Sequence, residues 1–553
     1  LSVIRLTNAR VYDPINGVDG LVQDIWIQSG RIIAPIASLT GAIRTIDLSG
    51  RVIMPGAIDM HTHVAGPKVN VARKMQPEQN RIATVSSRWA GQQFFPSGTL
   101  ASVPSIYATG MKYAELGYTT CFDAAVTPLS ARHVHHEFQD MPILDTGFYT
   151  LVGNNHFAMQ SIAAGDQSGL DTFLGWLLCR VGSYAPKLVN PGGVELWKQS
   201  VQGNARDLDQ IIHGFHTTPR KIIQAIAESA NRIGLPHPIH IHSNNLGLPG
   251  NWTTTLETMK CLEDLKGHLT HVQFHSYGGG DADPDSVMSK VQPLADYINS
   301  HPNLTVDVGQ VMFGRTMSMT GDAPLGHYLQ KLSRESWYSA DVELESGCGV
   351  SPIEYRNKNF VHSLQWAIGL EWFLLVSDPW QIVMTTDHPN GGSFWAYPQI
   401  VRLLMDRSYR AEMLAMLNPK VLEHSALADL NREYTLYEIA IITRAAPAKI
   451  LGLPQKGHLG LGADADIVVY SPQQDYEAMF SNPWMVIKGG EILLEQGELR
   501  RIVAGKTIAA EVGYDMEQAK SIESWFDDHY SLKSIHYGIK PFEFSRLDRA
   551  ASM

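Results

Sequence analysis

The stretch PGAIDMHTHVAGPK (residues 55–68) ends an apolar run on two histidines, His61 and His63, with Asp59 just before them. In a strand, residues i and i+2 share a face, so both imidazoles can meet one ion. The spacing alone decides little, because among 22 histidines it recurs at His133/His135 and His240/His242. The setting decides more. Polar residues that end short β-type runs mark the mouth of a parallel barrel, where strand C-terminal ends carry the chemistry.

Before this stretch lie SVIRLTNARVYDP, DIWIQSGRIIAPI and RTIDLSGRVIMPG, short β-rich segments split by Asn, Gly and Asp turns. They predict a small antiparallel sheet. The pattern returns in DADIVVYSP, WMVIKGGEILLEQGEL and RRIVAGKTIA. Between the two, strand-like runs such as YTTCFDAA, GFYTLVGNN, APKLVNPGG, PHPIHIHSNN, HLTHVQFHSYG, NLTVDVGQVMFG and QIVMTTDHPNGG alternate with helical stretches. The expected architecture is α/β: a (β/α)8 TIM-like barrel over residues 53–450, enlarged by an insertion around 310–375. A small β-sandwich is split between residues 1–52 and 451–514, and residues 515–553 form a C-terminal helical tail.

Composition narrows the function. The chain has 553 residues, 44% hydrophobic and 18% charged, which describes a globular protein with a large core. A net charge of -11 argues against a nucleic-acid partner, which calls for a basic face. Cys121, Cys179, Cys261 and Cys348 show no CxxC spacing, so free thiols are expected, with neither a disulfide framework nor an iron–sulfur cluster. With no basic-then-apolar leader and no long apolar run, the expected location is cytoplasmic, off the membrane. GGGDADPDSVMSK begins like a calcium loop at Asp281, Asp283 and Asp285, but Ser286 replaces the required Gly and Gln292 the bidentate Glu.

Further strand ends complete a constellation. APKLVNPGG places Lys187 where an apolar strand gives way to a turn. Burial there lowers an amine's pKa, and a neutral amine can take up CO2 as a carbamate whose two oxygens bridge two cations. HIHSNN and LTHVQFHS offer histidines from two successive strands, and IVMTTDHPNGG ends on Asp387. Imidazoles and carboxylates suit zinc, and two cations a few Å apart can activate one water.

This order (PG-x-ID-x-H-x-H, a strand-end Lys, then His, His and Asp) resembles the amidohydrolase superfamily. RAAPAKILGLPQKGHLGLGADADIVVYSP resembles the segment that returns to the small sandwich in its cyclic-amidase branch. HVAGPKVNVARKMQPE, LVGNNHFAM, KLVNPGGVELWK, HIHSNNLGLPGNW, HVQFHSYGG and TTDHPNGG together are similar to the A-type subunits of formylmethanofuran dehydrogenases and the hydrolase subunits of bacterial formyltransferase/hydrolase complexes.

The resemblance implies two divalent metal ions, with zinc favoured by ligand type. His61, His63 and Asp387 would bind the first metal, and Lys187, carboxylated, would bridge both. His242 would be the next ligand with His240 as neighbour, and His271 the last, with His275 as its rival. The implied reaction hydrolyses the N-formyl amide of a formylated furan-amine C1 carrier to formate and amine, with Asp387 moving the proton. The dehydrogenases run it in the condensing direction, and both kinds of protein work with partner subunits. Loops at the barrel mouth suggest Lys68, Asn70, Arg73, Asn154, Asn155, His156 and Asn390 as substrate-binding residues. Two other readings are a dihydroorotase- or hydantoinase-type cyclic amidase and a non-catalytic scaffold. Against the first, Ala65 and Gly66 follow the His pair where dihydroorotases place an arginine. Against the second, every ligand has a candidate.

Overall fold

The computed structural model describes residues 3–36, 43–77, 79, 102–199, 204–280, 286–339, 349–540 and 542–551. Cys348 and the calcium-like Asp281, Asp283 and Asp285 lie outside these residues, whereas Cys121, Cys179 and Cys261 are free thiols.

Eight parallel strands follow one another in space as in sequence: β1 (Ala57–Thr62), β2 (Tyr118–Val126), β3 (Asp145–Leu151), β4 (Ala185–Val189), β5 (His240–His242), β6 (Gly267–Leu269), β7 (Leu304–Asp307) and β8 (Ile382–Val383). All nine residues of β2 are buried, as expected when helices cover the outer face and side chains fill the interior. The sheet curls until its ends meet. Thr62 bridges to His388, and the His63 N–H donates to the His388 carbonyl at 2.7 Å. This contact brings the residues after β8 beside the histidines that end β1.

The two chain ends share one nine-stranded sheet, joined where Ile467–Tyr470 runs antiparallel to Val52–Pro55. The sheet is mixed where an antiparallel one was expected, because Val3–Asp13 pairs in parallel with Ile43–Asp47 on the side away from its hairpin partner Val18–Gln28. A buried ion cluster fastens this domain to the barrel. Lys456 and Lys488 Nζ each lie 2.5 Å from Asp145 Oδ2 at the start of β3, and 3.1 and 2.7 Å from Asp466 Oδ2. Burial pushes the Asp145 carboxyl up, but the two ammonium groups outweigh it and hold the pKa below the usual range.

Two further features depart from expectation. Thr507–Glu511, expected in the small β domain, joins the barrel sheet instead, with Thr507 paired to Thr146 of β3 and the strand itself to Leu547–Ala551. β3 pairs with β4 only from Tyr149 onward, so its first residues have ladder groups to offer. The tail therefore ends in a strand, after a helix (Met516–His529) whose Phe526 packs against Phe157, Phe173 and Trp176. The insertion is also shorter than expected. Gly314–Thr320, Tyr338–Ser339 and Gly349–Tyr355 form a separate three-stranded sheet, whereas Phe360–Leu375 is the helix leading into β8, its Trp372 Nε1 donating to Ser276 Oγ at 2.8 Å.

The inserted sheet leans on the loop after β8. The Tyr355 hydroxyl donates to the Asn390 carbonyl at 2.8 Å, and Thr316 Oγ1 donates to the Pro389 carbonyl. Among the described residues, no helix is long and apolar enough to cross a membrane.

Candidate metal centre

At the C-terminal mouth of the barrel, ligand-type atoms gather in two buried groups. Asp387 Oδ1 lies 3.1 Å from Nε2 of His61 and 3.1 Å from Nε2 of His63. His242, His271 and His275 form the second, each offering a ring nitrogen within 4.8 Å of the others. His271 links the two, its ring 4.7 Å from that of His242 and 5.2 Å from that of His61.

The backbone explains how β6 supplies two histidines. His271 leaves the strand in the left-handed region (φ 35°), and the following 3-10 turn, Val272–His275, stacks the His275 ring 5.2 Å from it. Asp387, at φ 50°, turns out of the end of β8 in the same way. Such conformations cost about 1–3 kcal/mol each and persist where the surroundings impose them.

The donor set fits divalent metal ions. His63 Nδ1, His242 Nε2, His271 Nδ1, both ring nitrogens of His275 and Asp387 Oδ1 are buried without a well-directed hydrogen bond. Burial, reinforced by neighbouring positive charge, holds His242, His271 and His275 well below the usual histidine range, so they are neutral bases. Burial pushes Asp387 up, but His61 and His63 outweigh it and keep it ionised. Lys187 Nζ donates to Thr270 Oγ1 at 3.1 Å. Burial lowers its pKa to about 7, with Asp307 and Asp387 opposing and Lys68 assisting. A sizeable share of this amine is therefore neutral near pH 7, the form a carbamate requires.

Comparison with known proteins gives the family. The sequence profile of the amidohydrolase family matches residues 44–494. The chain belongs to the amidohydrolase family. It is 42% identical to Protein FwdA of Methanocaldococcus jannaschii, over 97% of this chain and 96% of that one. It is 38% identical to the A-type subunit of the formyltransferase/hydrolase complex Fhc of Methylorubrum extorquens, over 95% and 94%. The crystal structure of that organism's formyltransferase/hydrolase complex, FhcABCD with methylofuran, contains a chain that superposes over the full length of both, with a TM-score of 0.92 and 34% identity.

In this amidohydrolase the carboxylates behind the candidate ligands escaped sequence reading. Asp307, ending β7, is fully buried and accepts from His61 Nδ1 at 3.0 Å, His268 Nε2 at 3.1 Å, the His271 N–H at 2.8 Å and Thr385 Oγ1 at 3.0 Å. Asp123 accepts the N–H groups of Val64 and Ala65 at 2.9 and 3.0 Å and lies 3.8 Å from His63 Nδ1. Asp322, from the inserted unit, faces His242 Nε2 at 3.8 Å. Carboxylates of this kind orient metal-binding histidines and fix their tautomers. A strand-end Asp in NLTVDVGQ was the one available signal for Asp307.

The loop residues singled out for substrate are held by protein partners. Lys68 Nζ donates to the Ala125 carbonyl at 2.6 Å, Asn70 Nδ2 to Glu137 at 2.8 Å, and Arg73 to the Pro104 and Val64 carbonyls, each at 2.8 Å. Asn154 Nδ2 donates to the Val189 carbonyl at 2.9 Å, and Asn155 caps the helix His156–Ala164. His156 Nε2 lies 3.2 Å from Glu195. Asn390 Oδ1 accepts from the Met319 N–H of the inserted sheet. His240 does not join the second histidine group but contacts His61 from behind, its Nε2 2.9 Å from His61 Nδ1.

Proposed function

We propose that this hydrolase cleaves the N-formyl amide of a furan-amine one-carbon carrier, giving formate and the free amine, as one component of a larger complex. The observation that carries the reading is the pair of buried ligand groups, His61/His63/Asp387 and His242/His271/His275, in which atoms of His63, His242, His271, His275 and Asp387 lack a hydrogen-bond partner, with the buried Lys187 amine feeling the Asp387 charge. The identity to the Fhc component over nearly the whole chain supports the substrate class and the partners. In this reading His61, His63 and Asp387 would hold one divalent cation and His242 and His271 the other. Lys187, once carboxylated, would add a further ligand, and His275 stands beside His271. Zinc suits the donors.

A bound cation pair supplies Lewis acidity at the formyl oxygen and a water acidic enough to attack at neutral pH. Asp387, ionised before the reaction, accepts the proton the attacking water loses. It then delivers that proton to the amine nitrogen as the C–N bond breaks. Asp307 and Asp123, from behind, hold the histidine rings in place. A catalyst lowers both barriers equally, so the same residues serve condensation of formate with the amine when the concentrations favour it.

The test is formate release from a formylated furan-amine by the purified, metal-replete complex, with an Asp387→Asn variant alongside. Release by the native protein that falls by about 10²-fold or more in the variant supports the assignment. No release from the native complex overturns it.

A further inference from the structure

Below the metal centre a file of hydrogen bonds crosses the barrel interior, and its chemistry has a direction. It starts at the Ile450 carbonyl, in the last turn of the helix Ala446–Leu451, where carbonyls have no partner within the helix. His237 Nδ1 lies 3.1 Å from that oxygen, His237 Nε2 lies 3.0 Å from His240 Nδ1, and His240 Nε2 lies 2.9 Å from His61 Nδ1. All three rings are buried.

A neutral imidazole donates from one nitrogen and accepts at the other. The Ile450 carbonyl only accepts, so the hydrogen of His237 sits on Nδ1. His237 Nε2 is then an acceptor, which makes His240 Nδ1 a donor and His240 Nε2 an acceptor. The next hydrogen must sit on His61 Nδ1, where it is shared between His240 and Asp307 Oδ2 at 3.0 Å. With His61 neutral, as a metal ligand must be, its Nε2, the atom facing Asp387, is left with the electron pair. A backbone carbonyl at the far end of the file thus selects the same tautomer of His61 that the Asp307 carboxylate favours.

We propose that His237 and His240 are positioning residues that fix the tautomer of His61 and present its Nε2 as a ligand. This rests on the metal-centre reading above. The competing use of the same atoms is a third cation held by His61, His240 and Asp307, which also offer three ligand atoms near one another. The 2.9 Å separation of the two ring nitrogens is a hydrogen-bond length.

The experiment titrates Co2+ into the full-length chain after its metals are stripped, following bound cobalt and its absorption, with thermal unfolding of the stripped protein as the check on folding. His240→Leu removes both hydrogen bonds, whereas His240→Gln keeps one donor and one acceptor. The expected result is two cobalt ions per native chain, affinity about ten- to hundredfold weaker in His240→Leu, and near-native affinity in His240→Gln. If His240→Leu does not fold, His237→Leu and His237→Gln are read in the same way. Equal weakening by Leu and Gln, or native affinity in a folded His240→Leu, overturns the proposal. So does a third cobalt in the native protein that is lost in His240→Leu. A native chain that binds no cobalt overturns the metal-centre reading as well, which separates the two failures.

Discussion

Asp307 Oδ2 lies 3.0 Å from Nδ1 of His61, a residue 246 positions earlier, and this contact ties the end of β7 to the end of β1. Burial pushes the Asp307 carboxyl up, but His61 and His268 outweigh it and hold the pKa far below the usual range. Asp307→Asn keeps the shape and removes the charge. Metal affinity should fall about ten- to hundredfold, read as metal retained against a graded chelator. Unchanged retention would show that His61 needs no carboxylate behind it.

Gly309 follows β7 at φ 66°, and a Cβ added there would stand 2.5 Å from His271 Cβ. Gly309→Ala should displace His271 and strain the backbone, costing about 1–3 kcal/mol in chemical denaturation and lowering metal content. Native metal content in this variant would free His271 from any tight positional demand.

Lys187, with its pKa lowered to about 7, also sets a pH dependence for the metal-free, CO2-depleted protein. Between that value and the ordinary lysine range, the unfolded chain binds the proton that the folded one has lost. Stability from this group therefore rises with pH across that window, by about 1.4 kcal/mol per unit at most. Lys187→Met should remove this component of the slope, measured by denaturant unfolding at several pH values. Parallel slopes would mean that Lys187 stays charged in the fold.

In the proposed reaction Asp387 carries both a ligand atom and the proton. Asp387→Asn should reduce formate release by about 10²–10⁴-fold while leaving the fold intact by circular dichroism. Retention of most of the activity would move the proton transfer to another group.

Asp145 meets Lys456 and Lys488 inside the joint between the barrel and the small β domain. Asp145→Ala leaves two buried ammonium groups short of a partner and should cost about 3–5 kcal/mol in denaturant unfolding. A cost below about 1 kcal/mol would show that Asp464 and Asp466 suffice as partners.

Much of the design is local and therefore written in the sequence. His61 and His63 share a face because strands alternate, and the apolar runs that carry Lys187 and His242 or lead into Asp387 mark strands whatever lies between them. These patterns determined the barrel, the split small β domain, and the order in which candidate ligands reach the mouth. Tertiary structure decided what depends on contacts between distant segments. A left-handed turn at His271 brings His275 to His242 as well, so spacing could not choose between the two. Lys68, Asn70 and Arg73 look free in sequence but are held by Ala125, Glu137 and Pro104. His237, His240, Asp307 and the Ile450 carbonyl reveal their role only when the barrel closes, because a hydrogen bond depends on a few ångströms in space and nothing in the spacing of residues along the chain encodes that distance.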